Sequence, residues 1–144
     1  MKWLVCTICC RKKDPVAALI PASRRYLSDR IRRVHRLARE SGLKFVIFSG
    51  RFGMISPDEP IPYYDKLLRE DEVEEMGSRI AEFLRREGAE RVLFVLPDPA
   101  RDPHVHPYLN AVERGAALAG AGVQLLTVPP YPENLGTILK VKRQ

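Results

Sequence analysis

The chain has little cysteine, and what it has cannot form a framework. Cys6, Cys9 and Cys10 sit within five positions of one another. The count is odd and there is no distant partner, which excludes a disulfide scaffold and favours a reducing compartment. Long apolar runs are also missing: none approaches the roughly 18 residues of a membrane span. Asn and Gln occur twice each, whereas Arg, Glu and Pro are plentiful. That balance leans toward a thermophilic source. Neither a Walker phosphate loop nor a dinucleotide-binding glycine fingerprint occurs, and no cofactor is expected. Repeats, low-complexity tracts and linkers are absent as well.

The first ten residues resemble a signal peptide only superficially. Their apolar run is short, ends in Arg11-Lys12-Lys13 and lacks a small-residue cleavage site. A first core strand accounts for them better, and the expected location is cytoplasmic, with no membrane partner. At 144 residues the chain is one domain by length, with room for a hydrophobic core. Its charge is uneven. Residues 1–53 hold 13 Lys/Arg against 3 Asp/Glu, a net +10, and the remainder holds 11 against 15, a net −4. A basic half beside an acidic half suggests a polyanionic partner.

Four apolar, β-branched runs stand out: Trp3 to Cys9, Lys44 to Phe48, Arg91 to Leu96 and Val123 to Val128. Their continuity predicts strands buried on both faces of a parallel sheet. Helical periodicity separates them. It predicts helices over Ser28 to Ser41, Glu70 to Glu87, and from near Pro107 to Gly120. The alternation argues for a single three-layer α/β domain, with a mostly parallel sheet of four or five strands and helices on both faces. In the tail from Pro129 to Gln144, the Pro129-Pro130-Tyr131-Pro132 segment reads as stiff and extended. Thr137 to Val141 reads as either a fifth strand or a short helix.

In such folds the loops after successive strands emerge at one sheet edge, where ligands bind. Every unusual cluster in the chain falls on one of those loops. Cys9-Cys10-Arg11-Lys12-Lys13 places thiols and cations at a strand end. Lys12 and Lys13 suit phosphate or carboxylate, and cations can lower a neighbouring thiol's pKa, which makes Cys9 and Cys10 candidate nucleophiles. A core Cys followed by a solvated basic turn would leave the same residues. Ser49-Gly50-Arg51-Phe52-Gly53 follows the second strand. Gly50 and Gly53 allow close approach or positive φ, Arg51 can fork onto an anion and Phe52 can stack on a base. A tight turn bearing a surface Arg is the plainer reading.

Further on, Pro60-Ile61-Pro62 presents Tyr63, Tyr64 and Asp65. One tyrosine is expected to pack and the other to be available, and Tyr64 is the candidate for stacking. Asp65 is expected to cap a helix through Lys66-Leu67-Leu68, with acid/base or sugar binding as the sharper alternative. His104-Val105-His106 puts two imidazoles on one side if extended. They suit a metal only with further ligands, and none is assigned; His106 is retained as a ligand-binding candidate. Arg25, Arg32, Arg36 and Arg39 read as one stripe opposite the apolar face of the first helix, suited to solvent or a phosphate backbone.

Cys9-Cys10-Arg11-Lys12-Lys13, Ile20-Pro-Ala-Ser-Arg-Arg-Tyr26 and Val46 through Asp65 together resemble a family of small bacterial and phage domains of unknown function. That family's pattern is a Cys-x-Lys-Lys-like start, Pro-Ala-x-x-x-Tyr, then Ser-Ala-Lys-Tyr-Gly-Leu and a closing Pro-Tyr-Asp. The resemblance covers about the first half of the chain. The family is distantly similar to the peroxide-stress protein YaaA and to domains accompanying deazaguanine modification of nucleic acids. The resemblance implies an α/β domain with nucleotide or nucleic-acid associations, and no established reaction. Here Gly50, Arg51 and Phe52 stand where the family has Ala, Lys and Tyr; the cation and aromatic face persist, but the phenol is lost. The expected function is therefore binding of a nucleotide or nucleic acid. The alternatives are a small-molecule enzyme using a Cys nucleophile or a His-ligated metal, and a non-catalytic interaction module.

Overall fold

The computed structural model describes residues 1–143, with side chains described through residue 139. Strand β1 (Trp3–Ile8) lies at the centre of a five-stranded sheet. Parallel to it run β3 (Lys44–Ser49) on one side and β6 (Arg91–Leu96) on the other, followed by β7 (Gly122–Thr127). The short β4 (Gly53–Ile55) pairs antiparallel with β3 and closes the opposite edge. Its register sets Ser49 against Gly53, so Ser49 to Gly53 is a hairpin connection and not an open ligand loop.

Alternation along β1 divides the core in two. Leu4, Cys6 and Ile8 join Val46, Phe48, Val92 and Phe94 beneath α3 (Val73–Glu87) and α4 (His106–Ala119). Trp3 and Val5 join Phe45, Ile47, Leu93 and Val95 beneath α2 (Asp29–Glu40) and the start of α5 (Gly136–Arg143). The tail alternative thus resolves as a helix, reached through a chain that bends at Pro129 and Pro130 and is not extended there. Strand β7 was expected to be buried on both faces. As an edge strand it is only half-buried, with Leu125 exposed. Among the described residues no helix is long and apolar enough to cross a membrane.

The helices begin and end for local reasons. The Ser28 hydroxyl accepts the Ile31 N–H and starts α2, whose buried stripe is Ile31, Val34, Leu37 and Ala38. Glu70–Glu72 forms a 3₁₀ turn before α3, and the Glu72 carboxylate accepts the Arg69 N–H. Helix α3 stops at Gly88, which adopts φ +65°. On the inner side of α2, His35 stacks on Phe45 with ring centroids 4.6 Å apart. Burial first and Arg39 second lower its pKa, with Asp58 opposing. Folding therefore favours the neutral ring. Its contribution to stability is present above the usual imidazole pKa of about 6.5 and is lost as pH falls below it. Urea midpoints at pH 7 and pH 5 should differ more for the native protein than for His35→Phe. Equal differences would refute this.

Arg25 departs from the expected arginine stripe. It belongs to α1 (Ala22–Arg25) and is fully buried. Its guanidinium donates to the carbonyls of Asp14, Val16, Ala18 and Ile61 at 2.6–3.0 Å. This ties the loop before β2 (Ile20–Pro21) to β5 (Pro60–Ile61), its antiparallel partner. Arg32, Arg36 and Arg39 do lie exposed on α2.

The connections set up the site. From β1 the chain crosses through α2 to β3, then back past β1 through α3 to β6, then through α4 to β7. The winding direction reverses between β1 and β6. At such a point the loops after the two strands diverge and leave a crevice at their carboxyl ends.

Candidate functional site

A cavity of about 540 Å³ occupies that crevice. Its walls come from the loop after β1 (Cys9, Cys10, Arg11, Lys13), from Arg30 of α2, from the segment Asp65 to Leu67, and from the β6–α4 connection (Pro97, Asp102, His104, Val105) with Tyr108. Four cations, Arg11, Lys13, Arg30 and Lys66, face two carboxylates, Asp65 and Asp102. Ile8, Leu67, Pro97, Val105 and the Tyr108 ring supply the apolar wall.

Arg30 organises the floor. One terminal nitrogen donates to Thr7 Oγ1 at 2.5 Å and to the Ile8 carbonyl at 2.8 Å, and the other reaches the Cys9 carbonyl at 3.5 Å. The guanidinium thus satisfies carbonyls at the end of β1. Burial lowers its pKa, opposed in turn by Cys10, Cys9, Tyr131 and Asp102. No carboxylate forms an ion pair with it among the described residues. A half-buried cation without a counter-ion is costly and favours an anion.

The Cys10 thiol is less activated than expected. Burial pushes the Cys10 thiol up, and Arg30 and Lys13 oppose this without reversing it. Its sulfur donates to the Lys12 carbonyl at 3.1 Å. Cys6 is sealed in the core and pushed up further by burial. Cys9 stands between the two halves of the core, and its sulfur lies 3.9 Å from the Tyr108 hydroxyl.

Residues 62–69 form no helix, so Asp65 caps nothing. Instead the segment arches over the cavity between two pins. At one end Tyr64 is buried, its hydroxyl bonded to Ser49 at 2.8 Å and to Tyr26 at 2.5 Å. At the other the Tyr108 hydroxyl accepts the Leu68 N–H at 3.1 Å. Between them Asp65 is exposed and has no hydrogen-bond or ion-pair partner among the described residues, whereas Lys66 pairs with Glu72. Gly50 supplies the clearance: a Cβ there would lie 2.7 Å from the Tyr108 oxygen and 3.0 Å from the Lys66 carbonyl. Gly50 therefore serves close packing beneath the arch.

The hairpin Ser49 to Gly53 takes the plainer role. The Ser49 hydroxyl accepts the Arg51 and Phe52 N–H groups, and Gly53 adopts φ +76°, as a tight hairpin connection requires. Arg51 lies over the Phe52 ring at 5.0 Å, and that ring meets Tyr64 edge-on. Neither Arg51 nor Phe52 lines the cavity, and neither do Lys12, Ser49, Gly50, Gly53 or Tyr64. Of the paired tyrosines, Tyr63 is the exposed one, so Tyr64 offers no free face for a base. Lys13 does line the cavity and also reaches back over the Tyr64 ring, at 4.7 Å. The histidines part company because Pro103–Val105 is a 3₁₀ turn leading into α4. His104 faces the cavity, and His106 is the exposed first residue of the helix, outside it.

Of the candidate residues, then, the fold brings together Cys9, Cys10, Lys13 and Asp65. It adds Arg11, Arg30, Lys66, Asp102, His104 and Tyr108. Arg30 was hidden in an Arg-rich helix, although it falls one position before Ile31 of the buried stripe. Tyr108 was hidden as one more apolar residue of α4. Among the described residues no group of three or more His, Cys, Asp and Glu converges to hold a metal ion. Compared with known proteins, the chain matches no family model, no curated protein and no solved structure.

Proposed function

We propose that the protein binds a nucleotide, or a phosphorylated ligand of that size, in the crevice between β1 and β6. The carrying observation is Arg30, a half-buried cation with no carboxylate ion-pair partner among the described residues, flanked at the cavity by Arg11 and Lys13. A phosphate supplies the missing charge through charge-assisted hydrogen bonds. Asp65 and Asp102 accept from hydroxyl groups on a sugar. The wall of Leu67, Pro97, Val105 and Tyr108 shields an apolar ring face. The cavity volume lies in the range of small-molecule sites. The resemblance of the first half of the chain to domains with nucleotide associations agrees with this reading.

Thermal denaturation with adenosine and guanosine monophosphates, and with the unphosphorylated nucleosides, tests it. A nucleotide at about 100 times its Kd should add about 2.7 kcal/mol of stability, read as a rise of several degrees in Tm. The nucleosides should add much less, and the gain should shrink as salt rises. Lys13→Ala and Arg11→Ala should abolish most of the shift. Lys12→Ala and Arg51→Ala, whose side chains lie outside the cavity, should keep it. Equal shifts with nucleosides, or loss in Arg51→Ala with retention in Lys13→Ala, would sink the proposal.

A further inference from the structure

We infer that Cys9 is a nucleophile that bonds covalently to an anionic electrophile held by the cationic wall of the crevice. The inference rests on the anion preference proposed for the same cavity. It adds a bond-forming step that ligand binding alone does not require.

Three observations converge on Cys9. Cys9 lines the cavity together with Arg11, Lys13 and Arg30, so an anionic reagent is concentrated beside this residue before any reaction. Its position at the end of β1 is fixed: its N–H donates to the Phe48 carbonyl at 2.9 Å, and its carbonyl receives Arg30. Its sulfur also has a hydroxyl partner. The Cys9 thiol donates toward the Tyr108 oxygen 3.9 Å away, which also accepts the Leu68 N–H; on loss of the thiol proton the phenol can turn its own hydrogen to the sulfur. Burial, then the charge of Cys9, raise the Tyr108 pKa, so the phenol remains a donor at neutral pH. It can donate to a thiolate and shorten that contact as charge develops on sulfur. The other two thiols lack this setting. Cys6 is sealed in the core, and Cys10 is turned to the Lys12 carbonyl.

The step needs no redox partner. The sulfur lone pair attacks an electrophilic carbon of the bound anion. The S–C bond forms as the bond from that carbon to its leaving group breaks. The leaving group departs with the electron pair, and the thiol proton passes to water or buffer. Proximity within the cavity supplies the acceleration.

Charge-selective alkylation is the test. The full-length protein is treated at pH 8 with iodoacetate or with its neutral analogue iodoacetamide, and each cysteine is followed by peptide mass spectrometry. The reference is the same pair of rates on the urea-unfolded chain. Cys9 should label first, with an iodoacetate-to-iodoacetamide rate ratio raised by about tenfold or more over the unfolded chain. Inorganic phosphate should slow the labelling, Lys13→Ala should return the ratio toward the unfolded value, and Cys6 should stay unlabelled. A ratio equal to that of the unfolded chain, or labelling of Cys10 with Cys9 silent, overturns the inference. Nucleotide stabilisation that persists with a silent Cys9 removes the covalent step alone. Anion-selective labelling without nucleotide stabilisation removes the nucleotide reading alone.

Discussion

Replacing Arg25 with alanine should lower the unfolding free energy by about 3 kcal/mol or more, because several buried acceptors lose their donor at once. The side chain is fully buried, and its charge is met by four carbonyl dipoles from Asp14, Val16, Ala18 and Ile61. The planar fork is the reason for Arg at this position: its two terminal nitrogens reach four carbonyl oxygens. Arg25→Lys, with one nitrogen in place of two, should recover only part of the loss. Denaturant unfolding measures the size, and hydrogen exchange gives the location. In Arg25→Ala, amides near residues 14–20 and Ile61 should lose protection well before those of β1. A loss below about 1 kcal/mol, within the range of ordinary substitutions, would show that water replaces the guanidinium at little cost.

Gly115→Ala should destabilise the protein by about 2 kcal/mol, although alanine is the better helix former by about 1 kcal/mol. The two helices on one face of the sheet, α3 and α4, approach closely through Gly77 and Gly115. A Cβ on Gly115 would lie 2.5 Å from Ile80 Cγ2 and 2.9 Å from the Gly77 carbonyl. Packing therefore opposes propensity, and the sign of the change decides between them. Ser78→Ala, at an exposed position of α3, provides the comparison and should change stability little. If the clash with Ile80 is the cause, Gly115→Ala and Ile80→Ala should cost less together than the sum of the two singly. A stabilised Gly115→Ala would mean that the helices move apart freely.

Much of the architecture was legible because it follows from short-range rules. Apolar continuity at Leu4 to Ile8 and Val92 to Leu96 marks strands covered on both sides. Serine at position 28 and glycines at 88 and 120 mark helix boundaries. Where the reading failed, long-range contacts outweighed local preference. Asp65 looked like a helix cap, but the following residues are held out of a helix by Tyr64 and Tyr108, which anchor the segment at both ends. The two-glycine segment at 49–53 looked like a ligand loop, yet its constraints serve a hairpin and the clearance around Tyr108.

By itself the sequence determined the class of the fold, the order of strands and helices along the chain, and the edge of the sheet at which its unusual residues gather. Periodicity, capping and alternation carry that information, and each acts within a few residues. The tertiary structure alone decided which of those residues meet. Strand order places the loops after β1 and β6 side by side and the hairpin after β3 outside the crevice. It also separates two arginines that look alike in sequence: Arg25 becomes a sealed structural tie, and Arg30, five positions on, becomes the cation at the floor of the cavity. The difference lies in which carbonyls surround each guanidinium: Ile8 and Cys9 at the end of β1 for Arg30, and Asp14, Val16, Ala18 and the distant Ile61 for Arg25.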